Sequence, residues 1–149
     1  MPDAITIRLA VPADAPTFCE LLGQLGYPAT ETEIPARLDA IANFQGAAAF
    51  VATNGYGEVV GLVIAHIFPS IHDNEPVAWI TTLVVLEDAR GAGIGSVLVS
   101  HVEQWAAQCG ARRLSVTSGK QRMETHEWYE KRDYERTGLR FTKRLNPLP

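Results

Sequence analysis

The least usual stretch of this sequence is ARGAGIG, at residues 89–95. Its three glycines, Gly91, Gly93 and Gly95, occupy alternate positions between a run of valines and a long amphipathic stretch, and Arg90 precedes them. Each glycine lowers strand or helix stability by about 0.5–1 kcal/mol relative to alanine. Three glycines so close together therefore indicate that the bare backbone of this segment has a function.

Binding of an anion is the chemistry that such a backbone can perform. A turn from a strand into a helix leaves the first amides of the helix without intrahelical partners, and the aligned peptide dipoles make that end partly positive. Phosphate oxygens reach these N–H groups directly where no side chain blocks the approach. We therefore predict a phosphate-binding loop. A glycine-rich turn that only eases helix packing is the alternative interpretation.

Two other types of phosphate loop do not fit the spacing. A dinucleotide-binding G-x-G-x-x-G that starts at Gly91 requires glycine at position 96, where this chain has Ser96. A P-loop requires Gly-Lys followed by serine or threonine, and this segment has no lysine. A nucleotide-binding protein of another fold stays open as an alternative.

Hydrophobic periodicity predicts the elements that position this loop. Strands are expected at residues 5–9, 48–53, 59–68, 78–86, 114–117 and 138–145, and helices at 12–25, from about 32, at 94–109 and at 125–132. The stretch AWITTLVVL, residues 78–86, is apolar or threonine on both faces, as in a central strand, and leads directly to the glycines. This order predicts an α/β (α+β) fold, a mixed sheet with helices on both faces.

Length and composition bound the class of protein. The 149 residues, 46% apolar and 20% charged, predict one globular domain over residues 1–149. No apolar stretch approaches the roughly 18 residues that span a bilayer, and residues 1–10 lack a signal pattern, so we expect a cytoplasmic protein without a membrane partner. Cys19 and Cys109 match no metal or redox spacing, so no metal site is expected and both are interpreted as buried thiols.

Charge is unevenly distributed along the chain. Up to Ala111 there are 3 basic and 12 acidic residues, and from Arg112 onward 10 basic and 5 acidic residues. A nucleic-acid-binding protein more often has a basic surplus overall, so no nucleic-acid partner is expected. One interpretation is an anionic ligand near the C-terminal part and a cationic acceptor elsewhere; a solvated charged face is the other.

Two segments carry a resemblance to a known family. LVVLEDARGAGIGSVLV resembles the acyl-coenzyme A pyrophosphate motif of the GNAT superfamily of N-acyltransferases, and HEWYEKRDY is similar to the second signature of that family. The order of elements matches over nearly the whole chain. The resemblance implies a mostly antiparallel GNAT-like sheet of six to seven strands. It also implies acetyl-CoA as cosubstrate and acetyl transfer to a primary amine of a small-molecule or peptide acceptor.

The resemblance also implies which residues bind the coenzyme. Leu83, Val84 and Val85 fall where the fourth strand of the family leaves the fifth and lends backbone groups to pantetheine. The pyrophosphate loop corresponds to Arg90, Gly91, Ala92, Gly93, Ile94, Gly95 and Ser96. Many members have asparagine on the coenzyme near Arg122 and glycine where Asp133 stands. Arg122 is expected to meet a phosphate or an acidic acceptor.

The implied reaction is attack of the amine on the thioester through a tetrahedral intermediate. Tyr129 falls where the family commonly has a tyrosine beside the sulfur, and a phenol with a pKa of about 10 stays protonated at neutral pH. We expect it to protonate the departing thiolate; packing on a short helix is the alternative. The amide of Val84 or Val85 is expected to stabilise the oxyanion. Glu75 is a candidate general base acting through water, or else a solvated surface residue.

The acceptor is expected to meet the more variable side of the cleft. Candidate wall residues are Tyr27 and Pro28, together with residues 68–73, which include His72 and Asp73. These residue types fit a small amine, an amino acid, an aminoglycoside or a peptide N-terminus. A noncatalytic acyl-CoA-binding sensor or partner module is the alternative function, and a homodimer is left open.

Overall fold

A five-stranded sheet carries the glycine-rich segment. The computed structural model describes residues 4–117 and 123–145, and the chain divides after Val116 into two compact units. In the first unit the strands are β1 (Thr6–Leu9), β2 (Ala47–Thr53), β3 (Val59–Phe68), β4 (Val77–Val85) and β5 (Leu114–Val116), and the α-helices are α1 (Ala15–Leu25), α2 (Ile34–Ala42) and α3 (Ile94–Gln108). Short 3-10 turns, Pro12–Asp14 and Glu87–Ala89, precede α1 and follow β4.

The strands lie in the sheet in their order along the chain. β1 to β4 pair antiparallel, and β5 pairs parallel to β4. A parallel pair requires a crossover connection, and α3 provides it. The expected mixed, mostly antiparallel sheet is thereby confirmed for the part of the chain that the structure describes.

Helices cover both faces of this sheet, as the sequence predicts. Val51 and Leu62 are buried in one apolar cluster with α1 and α2. The ring of Phe50 packs on His101 and Trp105 of α3. Because side chains alternate along a strand, Phe50 and Val51 point to opposite faces. The core therefore has one layer beneath α1 and α2 and another beneath α3.

An ion pair fixes the entry into α1. Asp14 is 7% exposed, and its two carboxylate oxygens accept hydrogen bonds from the Arg8 guanidinium at 2.8 and 2.9 Å. It also accepts the Val11 N–H at 2.8 Å. Burial raises the pKa of the Asp14 carboxyl, but the hydrogen bonds from Arg8 and Val11 outweigh it, and the pKa lies below its usual value.

The second unit contains one helix, α4 (Met123–Glu130), among its described residues. Residues 138–145, expected as a last strand, form neither helix nor strand. Their alternating pattern shows which side chains could share a face, but a strand also requires a hydrogen-bonded neighbour. Leu139 and Phe141 are 73% and 89% exposed. The expected six to seven strands are therefore not confirmed, since the described residues contain five.

A helix end and the two cysteines show smaller differences from the sequence-based expectations. α2, expected from about residue 32, begins at Ile34 and ends at Ala42, where the Asn43 side chain donates a hydrogen bond to the Asp39 carbonyl oxygen at 2.9 Å and caps the helix. Cys109 is exposed because it lies at the C-terminal end of α3, and Cys19 is half-buried. Gly110 follows that end with φ +92°, the left-handed conformation that is typical of the glycine after a helix.

Candidate active site

β4 and β5 run side by side for only part of their length. The pairing joins Ala78, Trp79 and Ile80 to residues 114–116 and stops there. β4 continues to Val85, still paired with β3 on its other side. Beyond Ile80 the described residues provide no strand neighbour on the β5 side, so this edge of β4 is open. Leu83, Val84 and Val85 all lie in the open part, and their contact with pantetheine stays a prediction.

The loop after β4 has the backbone that its glycines allow. Gly91 and Gly93 have φ values of +88° and +80°, in the left-handed region that residues with a β-carbon rarely adopt. A β-carbon added to either residue would meet no atom within 4 Å. Gly91, Ala92 and Gly93 are all exposed. The loop therefore leaves open space in front of its backbone.

α3 begins directly after this loop, with Gly93 as its N-cap. Its first intrahelical hydrogen bond runs from the Val97 N–H to the Gly93 carbonyl oxygen at 3.1 Å, so the helix geometry directs the preceding amides outward. Ile94 is 4% exposed and anchors the first turn in the core. Gly95 and Ser96 lie in that turn, where the backbone of Gly95 is helical. Conformation therefore requires glycine at 91 and 93 and does not require it at 95.

Two polar side chains hold the loop in place. The Arg90 Nε donates a hydrogen bond to the Val85 carbonyl oxygen at 3.1 Å. The Gln24 Oε1 on α1 accepts the Glu87 N–H at 2.8 Å. Arg90 is exposed, so its charge stands near the open edge of β4. Sequence analysis missed Gln24, because a glutamine on a predicted helix carries no signal of a contact 63 residues away.

Tyr129 lies in the second unit, near the end of α4. It is 7% exposed, and its ring contacts the rings of Trp128 and Tyr134 with centroids 5.0 and 5.5 Å apart. The guanidinium of Arg132 stacks on Trp128 at 3.7 Å from the ring centroid. These contacts fix the tyrosine within an aromatic cluster. Its role as proton donor stays a prediction.

Two departures from the pattern of the resembled family fall in the same part of the chain. Arg122, predicted to bind the coenzyme or the acceptor, lies outside the described residues. Asp133, which stands where many members have glycine, has φ +68°. The left-handed backbone explains the preference for glycine at this position, and aspartate is one of the few other residues that adopt it at modest cost.

The candidate base, Glu75, lines a cavity of about 640 Å³ together with Asp73. The Asp73 carboxylate accepts a hydrogen bond from Arg113 at 2.7 Å, and the Glu75 carboxylate lies 3.7 Å from the Arg112 Nε. Both acids are thus next to a guanidinium. Tyr27 and His72 are exposed and do not line this cavity. Their contact with an acceptor, and the role of Glu75 as base, stay predictions.

Sequence analysis missed a second cavity, of about 410 Å³, on β3 and β4. We call it the aromatic pocket; its lining residues are Phe44, His66, Ile67, Phe68, Trp79 and Thr81. Of these only Phe68 was among the predicted wall residues. The available signal was the content of aromatic residues in two successive strands, but their register could not be read from the sequence.

Neither a metal site nor a membrane span is found in the parts of the chain that can be described. In residues 4–117 and 123–145 no three histidine, cysteine, aspartate or glutamate side chains gather closely enough to hold a metal ion. In the same ranges no helix has the length and apolar character required to cross a bilayer.

A family model described as Acetyltransferase (GNAT) family matches residues 17–134. The aminoalkylphosphonate N-acetyltransferase of Salmonella typhimurium (strain LT2) is 36% identical over 89 residues, which make up 60% of this chain and 58% of that protein. This chain therefore spans less than two thirds of that relative.

Solved structures share the fold over almost the entire chain. A GNAT family acetyltransferase from Staphylococcus aureus superposes with a TM-score of 0.81 at 22% identity, over 95% of this chain and 99% of that one. An aminoglycoside N-acetyltransferase in complex with CoA also gives a TM-score of 0.81, at 20% identity, over 97% of this chain and 96% of that one. At these identities the likeness shows the fold.

Proposed function

The chain belongs to the GNAT acetyltransferase family, and from this premise we propose that it transfers an acetyl group from acetyl-CoA to a primary amine. The observation that carries the proposal is the loop at residues 90–96. It combines exposed glycines with left-handed backbone, open space in front of them and the start of a 15-residue helix. A diphosphate is the group in acetyl-CoA that such an amide cluster suits.

Several residues would hold the cosubstrate in an extended pose. The amides of residues 91–96 would bind the diphosphate, and Arg90 would add positive charge beside it. The open edge of β4, from Thr81 to Val85, offers backbone groups to the pantetheine amides, in the manner of an added strand neighbour. This pose places the thioester on the open edge of β4.

Three chemical tasks remain for the protein. Of the two predicted oxyanion donors, Val85 fits better: the Leu86 N–H donates to the Val60 carbonyl oxygen of β3, and because N–H directions alternate along a strand, the Val84 amide also points to β3 and the Val85 amide to the open edge. The Val85 amide would stabilise the oxyanion that forms when the amine attacks the thioester carbon. The amine must lose a proton first, and Glu75 is our candidate to accept it through water. When the carbon–sulfur bond breaks, Tyr129 would donate its phenolic proton to the thiolate. The products are the N-acetylated amine and CoA.

One observation favours a second candidate, a noncatalytic acyl-CoA-binding sensor or partner module. Glu75 and Asp73 both stand next to arginines, Arg112 and Arg113, so neither carboxylate is dedicated to an acceptor. A sensor requires the coenzyme site and needs no base. Cytoplasmic location and assembly as a homodimer stay predictions under either function.

Release of free thiol from acetyl-CoA in the presence of an amine panel tests the proposal. The panel should contain small alkylamines, amino acids, an aminoglycoside and a peptide N-terminus. We expect amine-dependent thiol release with at least one class, and stabilisation of the protein against heat by CoA alone. Stabilisation by CoA without any thiol release would favour the sensor, and the absence of both would overturn the two candidates together.

A further inference from the structure

The aromatic pocket has walls made of paired rings. Phe68 and Trp79 stack with ring centroids 6.5 Å apart and planes 28° apart. Phe44 and His66 meet edge to face at the same centroid distance. His66 and Trp79 are direct cross-strand partners, so their side chains share one face of the sheet. The volume of about 410 Å³ lies within the range of about 300–1,000 Å³ that is usual for small-molecule sites.

This pocket reaches the place where β4 leaves β5. Its lining ends at Thr81, the extra residue of a register shift in β4, since Ala65 pairs with Ile80 and Ile64 pairs with Thr82. The pairing of β4 with β5 also stops at Ile80. A molecule in the pocket can therefore direct one end toward the open edge of β4, along which the thioester is proposed to lie.

The chemistry of the lining selects the part of a molecule that fits. No lysine, arginine, aspartate or glutamate is among the six lining residues, so a phosphonate or carboxylate would lose its hydration without gaining a counter-ion. Phe44 and Phe68 are 64% and 40% exposed and present apolar surface toward solvent. An aromatic ring that packs against these aromatic side chains gains more binding free energy than its buried apolar area alone predicts.

We propose that the preferred acceptor is a primary amine on an aromatic body, with the ring in the aromatic pocket and the amine directed past Thr81 to the open edge of β4. This inference rests on the proposed function and adds the class of substrate. The proposed substrate class also differs from that of the aminoalkylphosphonate N-acetyltransferase to which this chain is similar. The lining of the aromatic pocket contains no cation that could bind a phosphonate group.

Three amines that share one aminoethyl unit test the proposal: ethylamine, 2-phenylethylamine and 2-aminoethylphosphonate. Burial of the phenyl group should raise kcat/KM for 2-phenylethylamine at least about tenfold above the other two. Equal values for 2-phenylethylamine and ethylamine, or a preference for the phosphonate, would overturn the aromatic pocket as acceptor site and leave acetyl transfer intact.

Variants connect any preference to the pocket itself. Trp79→Ala should lower the ratio of kcat/KM for 2-phenylethylamine to that for ethylamine about tenfold, and Trp79→Phe should restore most of it. Phe68→Ala removes a more exposed ring and serves as a second variant if Trp79→Ala does not fold. Tyr56→Ala removes an exposed aromatic side chain in the β2–β3 turn and should leave the ratio unchanged. An unchanged ratio in both pocket variants contradicts the proposal.

Calorimetric titration of the CoA-bound protein with 2-phenylethylamine provides a readout that does not depend on turnover. Binding that weakens in Trp79→Ala supports the pocket, and an absence of binding overturns it. Binding without thiol release from acetyl-CoA would instead overturn the acetyltransferase function while the pocket assignment stands. The two failures are thereby distinguishable.

Discussion

Two glycine turns of this molecule have nearly the same local geometry. Gly57, in the turn between β2 and β3, has φ +78°, and Gly93, before α3, has φ +80°. A β-carbon added to either glycine would meet no atom within 4 Å. Both turns also follow an apolar strand. Neither left-handed backbone nor open space therefore distinguishes a simple turn from a binding loop.

The difference lies in where the neighbouring amides point. In the β2–β3 turn the Asn54 side chain accepts hydrogen bonds from the N–H groups of Tyr56 and Glu58 at 2.9 and 3.0 Å. The Gly57 N–H donates to the Asn54 carbonyl oxygen at 3.0 Å. After Gly93 the chain enters a helix of 15 residues, whose first amides point away from its own carbonyls. The element that follows a glycine turn decides whether the turn can bind an anion.

The largest expected effect separates binding from proton transfer. If the glycine loop binds CoA and Tyr129 donates the proton, Tyr129→Phe should lower kcat about 10²–10⁴-fold, as loss of a positioned acid does. The Kd of CoA should change less than about twofold. Steady-state kinetics and CoA titration measure the two quantities. Tyr134→Phe makes the same chemical change in the ring that packs on Tyr129 and is the matched control. A fall in kcat below about threefold for Tyr129→Phe would assign that tyrosine to packing.

Matched substitutions in the two glycine turns test directly whether they differ in CoA binding. Gly93→Val and Gly57→Val impose the same backbone strain, so both should destabilise the protein to a similar degree. Only Gly93→Val should weaken CoA binding, at least about 100-fold, because the loss of two charge-assisted hydrogen bonds is sufficient for that change. Thermal unfolding and CoA titration measure both effects. Equal affinities of the two variants for CoA would show that the diphosphate does not bind at the glycine loop. Gly93→Ala replaces Gly93→Val if the valine variant does not fold.

Replacement of Asp14 should have a smaller effect, which is confined to stability and does not change the glycine loop. Asp14→Asn removes the carboxylate that Arg8 and Val11 bind and should lower the free energy of unfolding by about 1–3 kcal/mol near pH 7. Because the folded-state pKa of Asp14 lies below its usual value, this stabilisation is present above about pH 4. It is lost as the pH falls through the folded-state pKa.

Denaturant unfolding of the wild type and of Asp14→Asn across a pH series measures this loss. The difference between the two proteins should be constant from pH 7 down to about pH 5 and should shrink below about pH 4. Asp39→Asn, at an exposed position of α2, is the control and should show neither change. A difference that persists undiminished in acid would mean that the carboxylate charge does not provide the stabilisation.

The smallest effect concerns a third left-handed position, Asp133. Its φ of +68° predicts that Asp133→Gly raises the free energy of unfolding by about 0.5 kcal/mol, while Asp133→Ala lowers it by about 1 kcal/mol. The two variants should therefore shift the melting temperature in opposite directions, which thermal unfolding measures. Destabilisation by both substitutions would show that the Asp133 side chain matters more than the backbone conformation.

Local patterns made much of the fold predictable. The apolar run before Gly91, the alternate glycines and the helical spacing after them predict β4, the loop and α3 within one or two residues, because each signal lies within one element. The antiparallel pairing of β2 with β3 follows in the same way from the turn residues between them. Such features depend on neighbours in the sequence.

Features that depend on distant partners could not be predicted. The aromatic pocket requires that His66 lie opposite Trp79 and that β4 shift its register at Thr81, and neither is encoded in one stretch of sequence. The hydrogen bond from Glu87 to Gln24 is of the same kind. Residues 138–145 show the reverse case, since their alternating pattern predicts a strand where no partner strand is described.

A crystal structure of the protein with acetyl-CoA would show directly whether the glycine loop binds the diphosphate. We expect diphosphate oxygens within about 3.2 Å of backbone nitrogens of residues 91–96, and pantetheine along the open edge of β4 beyond Ile80. A diphosphate bound elsewhere, or a protein side chain in front of Gly91 and Gly93, would contradict it.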